Sequence, residues 1–459
     1  MKAGMTLFRS LSNSTIALTS YCFRAAAGAV FFALAAALSA PLAAAQPTSM
    51  MQAAHQAMDA GQYAQAEKIY RQALAQAPSS APVLTDLALS LQMQGRSADA
   101  MRYFSLALKQ GYVAETYALL AEEKCHMGDL DGARPMLARI FREERNNLRV
   151  LYAVAPCYLE IDEPVESAIV YRALLGNKDY PQDLALVQLA KSYIRSGQFF
   201  ATKLSKASGS EPFMDALRSA SAAGSEGARS AFPAAAKLSP NFDPGLGWAD
   251  AVTRWRAHPQ DVALLYLLSV LSAEQGMKQI EQCDEQFPAS IHLEEFHADV
   301  LADQGHGDEA IAEYEELMRT HPDLSELAYD LGLLHEKREE WPQAAEAYRH
   351  QLANYPNDER ASSHLSRCLL QMGQYAALRE QLGALVEAGH APQWASLNLA
   401  EAEQKLGNLK DAISILEAAA REPSPDKLVH YRLMHLYTLS GRPNDAKREL
   451  ALFQAASRK

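Results

Sequence analysis

SELAYDLGLLHEKREEWPQAAEAYRHQLANYPND, residues 325–358, carries the reading of this chain. Leu331, Gly332 and His335 fall on one face of a first helix, and a break follows at Glu339-Glu340. Pro342 then opens a second helix, where its missing N–H leaves nothing unsatisfied. Ala344, Tyr348 and Leu352 recur every four residues on that helix, and Pro356 ends it. The stretch is one rung of a ladder: Gly305, Glu339, Gly373, Gly407 and Gly441 stand 34 residues apart, as do Pro288, Pro322 and Pro356. A self-similarity of that period marks helix–turn–helix units stacked on one another, each in contact with its neighbours only.

The register transfers along the chain. Residues 291–324 place Ala298, Ala310, Tyr314, Leu317 and Pro322, and 359–392 place Leu365, Ser366, Leu369, Leu382 and Leu385, with Leu378 replacing the small residue. Units 393–426 and 427–459 supply Leu399, Ala400, Ala412 and Leu416, then Leu433, Tyr437, Ala446, Leu450 and Phe453. Near the start, 47–80 gives Ala54, Ala66, Tyr70, Ala73 and Pro78; 81–113 gives Leu87, Ala88, Ala100 and Phe104. Units 114–147 and 148–181 follow with Leu120, Ala121, Ala133 and Leu137, then Ala155, Tyr158, Tyr171 and Leu174. Small residues let two helices approach, and the larger ones fill the space between units.

These residues resemble the tetratricopeptide repeat family, and the resemblance covers nearly all of the chain after residue 46. It implies an all-α fold: a right-handed α-solenoid of about eleven to twelve repeats with an irregular joint in the middle. The domain reading is an N-terminal array at 46–206, a degenerate joint at 207–260 and a C-terminal array at 261–459. In the middle, 183–208 reads as a shortened unit turning at Gly197, and 261–290 as another short one. Pro233 should kink the helix it interrupts. Residues 243–260 offer one helix near Leu246–Ala257, whose Trp248 and Trp255 either plug mismatched units or mark a contact site.

Residues 1–45 read differently. Lys2, Arg9 and Arg24 are positive with no acidic residue beside them, and Ala25–Leu38 is a short apolar run followed by Ala43-Ala44-Ala45. That order is a secretory signal cleaved before Gln46, which makes the mature chain bacterial and periplasmic or exported. The competing reading is an uncleaved inner-membrane anchor, because Ala25–Ala45 just reaches the ~20 residues a span needs. Cys22 precedes the apolar run, which is the wrong place for a lipoprotein cysteine.

With 43 Lys plus Arg against 55 Asp plus Glu, the net charge of −12 excludes a basic nucleic-acid-binding stripe. Cys125, Cys157, Cys283 and Cys368 show no C-x-x-C spacing. An oxidising compartment permits a Cys125–Cys157 bridge between adjacent units, and Cys serves equally as a small core residue.

No catalytic constellation emerges. G-x-S-x-G, phosphate-cradling glycine loops and H-E-x-x-H are missing. His292 with His297, and His430 with His435, are five apart and diverge around a helix; His335-Glu336 lacks a second histidine. Glu122-Glu123, Glu294-Glu295 and Glu315-Glu316 are adjacent and diverge likewise. The expectation is therefore a non-enzymatic protein with no cofactor and no metal.

The family resemblance supplies a binding surface instead, since the first helix of each unit lines a concave groove. Carried over, its positions are His292, Glu295 and Asp299; Glu326, Tyr329 and Glu336; Arg360 and Arg367; Trp394, Leu397 and Glu401; Tyr431 and His435. Tyr329, Ser363, Leu397 and Tyr431 should make one continuous stripe, with acidic residues at one end and arginines in the middle. Asn398 with Lys405 and Arg432 hints weakly at carboxylate recognition. The resulting function is an envelope scaffold that binds a protein or peptide segment. The alternatives are an accessory arm of an enzyme system, such as a glycosyltransferase or polysaccharide-export machine, and a membrane-tethered scaffold. Membrane is a partner only if the N-terminal segment stays on, and nucleic acid is not a partner.

Overall fold

The structure is a computed structural model describing residues 47–457 apart from 179, 323, 325, 357, 388–390 and 422–425, and apart from the side chains of 47–49, 219–226 and 228. The export segment read at 1–45 lies outside the described residues. Regular structure among those residues is entirely helical.

The helices follow as pairs: α1 Pro47–Asp59 with α2 Tyr63–Gln76, α3 Ala81–Gln92 with α4 Ser97–Gln110, and α5 Ala114–His126 with α6 Leu130–Glu143. The next first helix is broken at Ala155-Pro156 into α7 Leu148–Val154 and α8 Cys157–Glu160, before α9 Pro164–Leu174. A long α10, Gln182–Ser205, leads into α11 Glu211–Ala228, α12 Phe232–Leu238, α13 Trp248–Ala257 and a second long helix, α14 Val262–Gln286. Pairing then resumes with α15 Ile291–Asp303 and α16 Gly307–Thr320, α17 Leu327–Lys337 and α18 Trp341–Asn354, and α19 Glu359–Gln371 and α20 Tyr375–Glu387. The last pairs are α21 Gln393–Lys405 with α22 Leu409–Ala419, and α23 Lys427–Leu439 with α24 Pro443–Ala456.

The 34-residue ladder has a conformational cause. Gly305, Glu339, Gly373, Gly407 and Gly441 all hold positive φ, between 60° and 87°. Each donates its N–H three residues back, and the following residue donates five back, as in Gly407 to Gln404 and Asn408 to Glu403. This is the left-handed Schellman close of a helix, which satisfies two orphan carbonyls and reverses the chain. Glu339 does the same without being glycine, at φ 60°.

Small residues sit where helices touch. Ala54, Ala88, Ala121 and Ala298 in first helices, and Ala66, Ala100, Ala133, Ala310, Ala344 and Ala412 in second helices, are all buried. Gly332 shows the limit: a Cβ there would lie 2.6 Å from the Tyr348 ring. Pro342 stands in the first turn of α18, as its chemistry requires.

The middle departs from the sequence reading. Gly197 is no turn; it lies inside α10, and 262–286 is one continuous helix in place of a short hairpin. The two long helices pack along each other because both are small at the crossing: a Cβ on Gly276 would meet Ile194 at 2.9 Å, and one on Gly197 the Ser269 carbonyl at 3.4 Å. Pro233 does not kink a helix either. A 3₁₀ turn at Arg229–Ala231 separates α11 from α12, and Pro233 occupies the first turn of the new helix.

The residues between α10 and α14 are packed against them. Phe213 and Phe232 lie 5.2 and 6.0 Å from the Tyr266 ring. Trp248 donates Nε1–H to Ser272 Oγ at 2.8 Å and stands edge-on to Tyr193, while Trp255 abuts Phe199 and Phe200. Both tryptophans are plugs.

The described residues divide into two compact units, one running up to Met93 and again over Asp99–Glu326, the other running from Leu327 onward together with Gln94–Ala98. The break falls at Glu326/Leu327, so α15 and α16 belong to the first unit. The first has a core of aromatic and aliphatic side chains running from Ala54 to Leu271. The second holds two smaller clusters, one around Tyr348 and Leu382, the other around Leu416 and Tyr437.

Candidate functional site

In the second unit the first helices α19, α21 and α23 touch one another directly, α19 with α21 and α21 with α23. They therefore present one shared face. Their starts are set locally: the Asp358 carboxylate accepts from the Arg360 and Ala361 N–H groups, and Asp426 from Leu428. Such caps satisfy donors that the first helical turn leaves unpaired.

The stripe expected along this face is closed at its start. Tyr329 is 5 % exposed and belongs to the core. Its ring lies 5.7 Å from Tyr348 and edge-on to His364 at 5.5 Å, and the Arg360 guanidinium covers it at 4.5 Å. Arg360 is itself buried, 3.3 Å from Asp358. The groove reading of Tyr329 and Arg360 is thus corrected. An aromatic ring one repeat upstream is large enough to reach the next hairpin, and a cation stacked on it seals it from water.

Glu336, also expected in the groove, is buried under the same cover. It accepts from the Tyr348 hydroxyl at 2.9 Å, from His364 Nδ1 at 2.7 Å and from Arg367 Nε. Burial opposes its ionisation, but the His364 and Arg367 hydrogen bonds outweigh it and hold the carboxyl down at about 2. Arg367 remains on the surface while its head is committed to Glu336.

The other end is open. Trp394, Leu397 and Asn398 of α21 are half-buried, and His435 of α23 is exposed. Tyr431 is 44 % exposed, with its ring 5.6 Å from Phe453. Leu397 and Tyr431 occupy equivalent places on adjacent first helices. Between those helices Arg432 pairs with Glu401 at 2.6 Å. Asn398 donates to Ser366 Oγ at 2.7 Å, which ties α21 to α19 and uses the amide the carboxylate reading needed.

The acidic end of the expected groove belongs to the first unit and is not a free surface. Glu295 and Asp299 are buried. Asp299 takes Lys191 Nζ at 2.8 Å and the Tyr314 hydroxyl, and Lys191 lies over the Phe296 ring. Lys191 is 108 residues away in the chain, so no local pattern announces the pairing.

A cavity of about 660 Å³ opens in the first unit between Phe213, Leu238, Asn241, His258 and Asp261. Asp261 is occupied there, capping α14 and accepting from Ser239 and Asn241. Among the described residues, no group of three or more His, Cys, Asp or Glu side chains is placed to hold a metal ion. No helix among them is long and apolar enough to cross a membrane.

Helical hairpins at a fixed step, closed by left-handed turns and packed through small residues, define a protein-interaction repeat. Residues 57–123 and 297–359 each match a tetratricopeptide repeat model, so the chain carries tetratricopeptide repeats in both of those stretches. No curated protein matches it. Among solved structures, it is similar to the APC/C hetero-tetramer Cut9–Hcn1 at 15 % identity, over 94 % of this chain and 96 % of that one, with a TM-score of 0.29. A monomeric IFIT1 mutant with Gppp-AAAA is 15 % identical over 82 % and 90 %, with a TM-score of 0.27. The human IFIT1 dimer with m7Gppp-AAAA is 16 % identical over 83 % and 91 %, with a TM-score of 0.25.

Proposed function

We propose that this scaffold binds an extended protein segment across the first helices α21 and α23, in the bacterial envelope, and acts in assembling or regulating a complex there. One observation carries the site. Leu397 and Tyr431 recur at equivalent places on neighbouring helices and keep exposure, whereas Tyr329, one of their upstream counterparts, is covered. Apolar and aromatic side chains flanked by polar groups suit an interface anchor. Trp394 and His435 extend the face, and Arg367 stands at its margin.

A photo-crosslinking side chain placed at Tyr431, at His435 and at the exposed Leu385 of α20 tests the site in living cells. The two α23 positions are expected to trap the same partner, and Leu385 none. Equal trapping at Leu385, or none at either α23 position, rules the face out.

The envelope location rests on the 1–45 segment alone. Sequencing the amino terminus of the mature protein is expected to begin at or near Gln46. An intact Met1–Ala45 in the membrane fraction would favour the tethered scaffold.

A further inference from the structure

Cys125 stands one residue before the end of α5, and Cys157 is the first residue of α8. The break at Ala155-Pro156 restarts the helix there, and α8 packs against α5. Both thiols are buried in the same core, and both are free. Where α8 meets α5, Cys157 and Cys125 are close enough for the two side chains to interact. The other cysteines among the described residues are spent elsewhere: Cys283 donates to the Asp183 carbonyl, and Cys368 lies in the core of the second unit.

We propose that Cys125 and Cys157 are a disulfide pair that staples the third hairpin to the fourth when the chain folds in contact with an oxidised disulfide donor. One thiolate attacks the donor disulfide and expels one donor thiolate, forming a mixed disulfide. The second thiolate attacks the protein sulfur of that intermediate, closes the Sγ–Sγ bond and releases the donor as a dithiol. Two protons leave the cysteines, and two electrons pass to the donor. Burial, then the neighbouring Cys125, pushes the Cys157 thiol well above its ordinary range. The folded Cys157 is therefore a poor nucleophile, and oxidation belongs to the folding chain, before the hairpins close. The inference rests on the exported reading only for the source of the oxidant.

The full-length chain is refolded from denaturant with oxidised glutathione, acid-quenched, unfolded and alkylated. Cys22, Cys283 and Cys368 are expected to carry the label, and Cys125 and Cys157 to emerge as one linked peptide that parts on reduction. Its melting temperature is expected to exceed that of the dithiothreitol-treated chain by roughly 5–10 °C, because the link closes a loop of about thirty residues. A Cys125→Ala, Cys157→Ala variant should show no such difference. Label on both Cys125 and Cys157 after oxidative refolding, or a link from either to Cys22, Cys283 or Cys368, overturns the pair. The same mapping on protein taken from cells is a separate arm. A bridge that glutathione makes and the cell does not refutes the exported location and leaves the pair standing.

Discussion

The Tyr348 hydroxyl donates to Oε2 of Glu336 at 2.9 Å, from the second helix of a hairpin to the first. The same carboxylate holds His364 and Arg367 of the following hairpin. One buried group therefore couples a repeat both to itself and to its neighbour.

Stability should record that coupling as a dependence on acid. The folded carboxyl sits at about 2 against an ordinary 4.5, so it stabilises the fold above pH 4.5 and loses that contribution as pH falls towards 2. At about 1.4 kcal/mol per pH unit this is on the order of 3 kcal/mol as an upper bound. Glu336→Gln should lower the melting temperature at pH 7 and show a shallower decline below pH 4.5. Parallel declines for the two proteins would remove Glu336 from the account.

Tyr329 and Tyr431 should part company. Tyr329→Ala opens a cavity under Tyr348 and His364 and should cost about 3–5 kcal/mol in urea denaturation, as buried aromatics do. Tyr431→Ala removes a ring that is already wet, so its effect should stay within about 1 kcal/mol while crosslinking of the partner falls. Equal destabilisation by the two changes would mean the exposures are misassigned.

The turn ladder allows a test of backbone strain alone. A Cβ on Gly407 meets nothing within 4 Å, yet φ is 87°. Gly407→Ala should therefore destabilise by about 1 kcal/mol through conformation only. Glu339→Gly should do the reverse, gaining up to about 1 kcal/mol, since its exposed side chain is held at φ 60°. A destabilised Glu339→Gly protein would show that the Glu339 side chain outweighs the strain.

Lys191 and Asp299 make a buried pair with asymmetric consequences. Lys191→Met strands the Asp299 carboxylate away from water and should cost about 3–5 kcal/mol. Adding Asp299→Asn should recover part of that loss, because no charge is then left alone. A double variant as weak as the single one contradicts the pairing.

Ala344, on α18, is fully buried in the core of the second unit. Ala344→Arg forces a long cation into a methyl-sized space, at a cost of several kcal/mol. Calorimetry should find the melting of the Leu327–Lys459 unit broadened or lost. An unchanged transition would mean the repeat register is misplaced.

The sequence by itself determined the hairpins, their 34-residue step and the small contact positions. Those features are local: a left-handed turn favours glycine, a helix start accepts proline, and two touching helices favour alanine, so each leaves its mark at a constant spacing. Glu339 was legible as a missing rung for the same reason. Only the tertiary structure decided which inward positions stay open. Whether Tyr329 is a ligand contact or a core ring depends on Arg360 and His364 of the next repeat folding over it, and Asp299 is silenced by a lysine more than a hundred residues away. The long helices α10 and α14 read as short units in sequence, the first because Gly197 looks like a turn there, yet neither Gly197 nor Gly276 is one. In space they are the points where two helices touch, and a glycine serves either purpose.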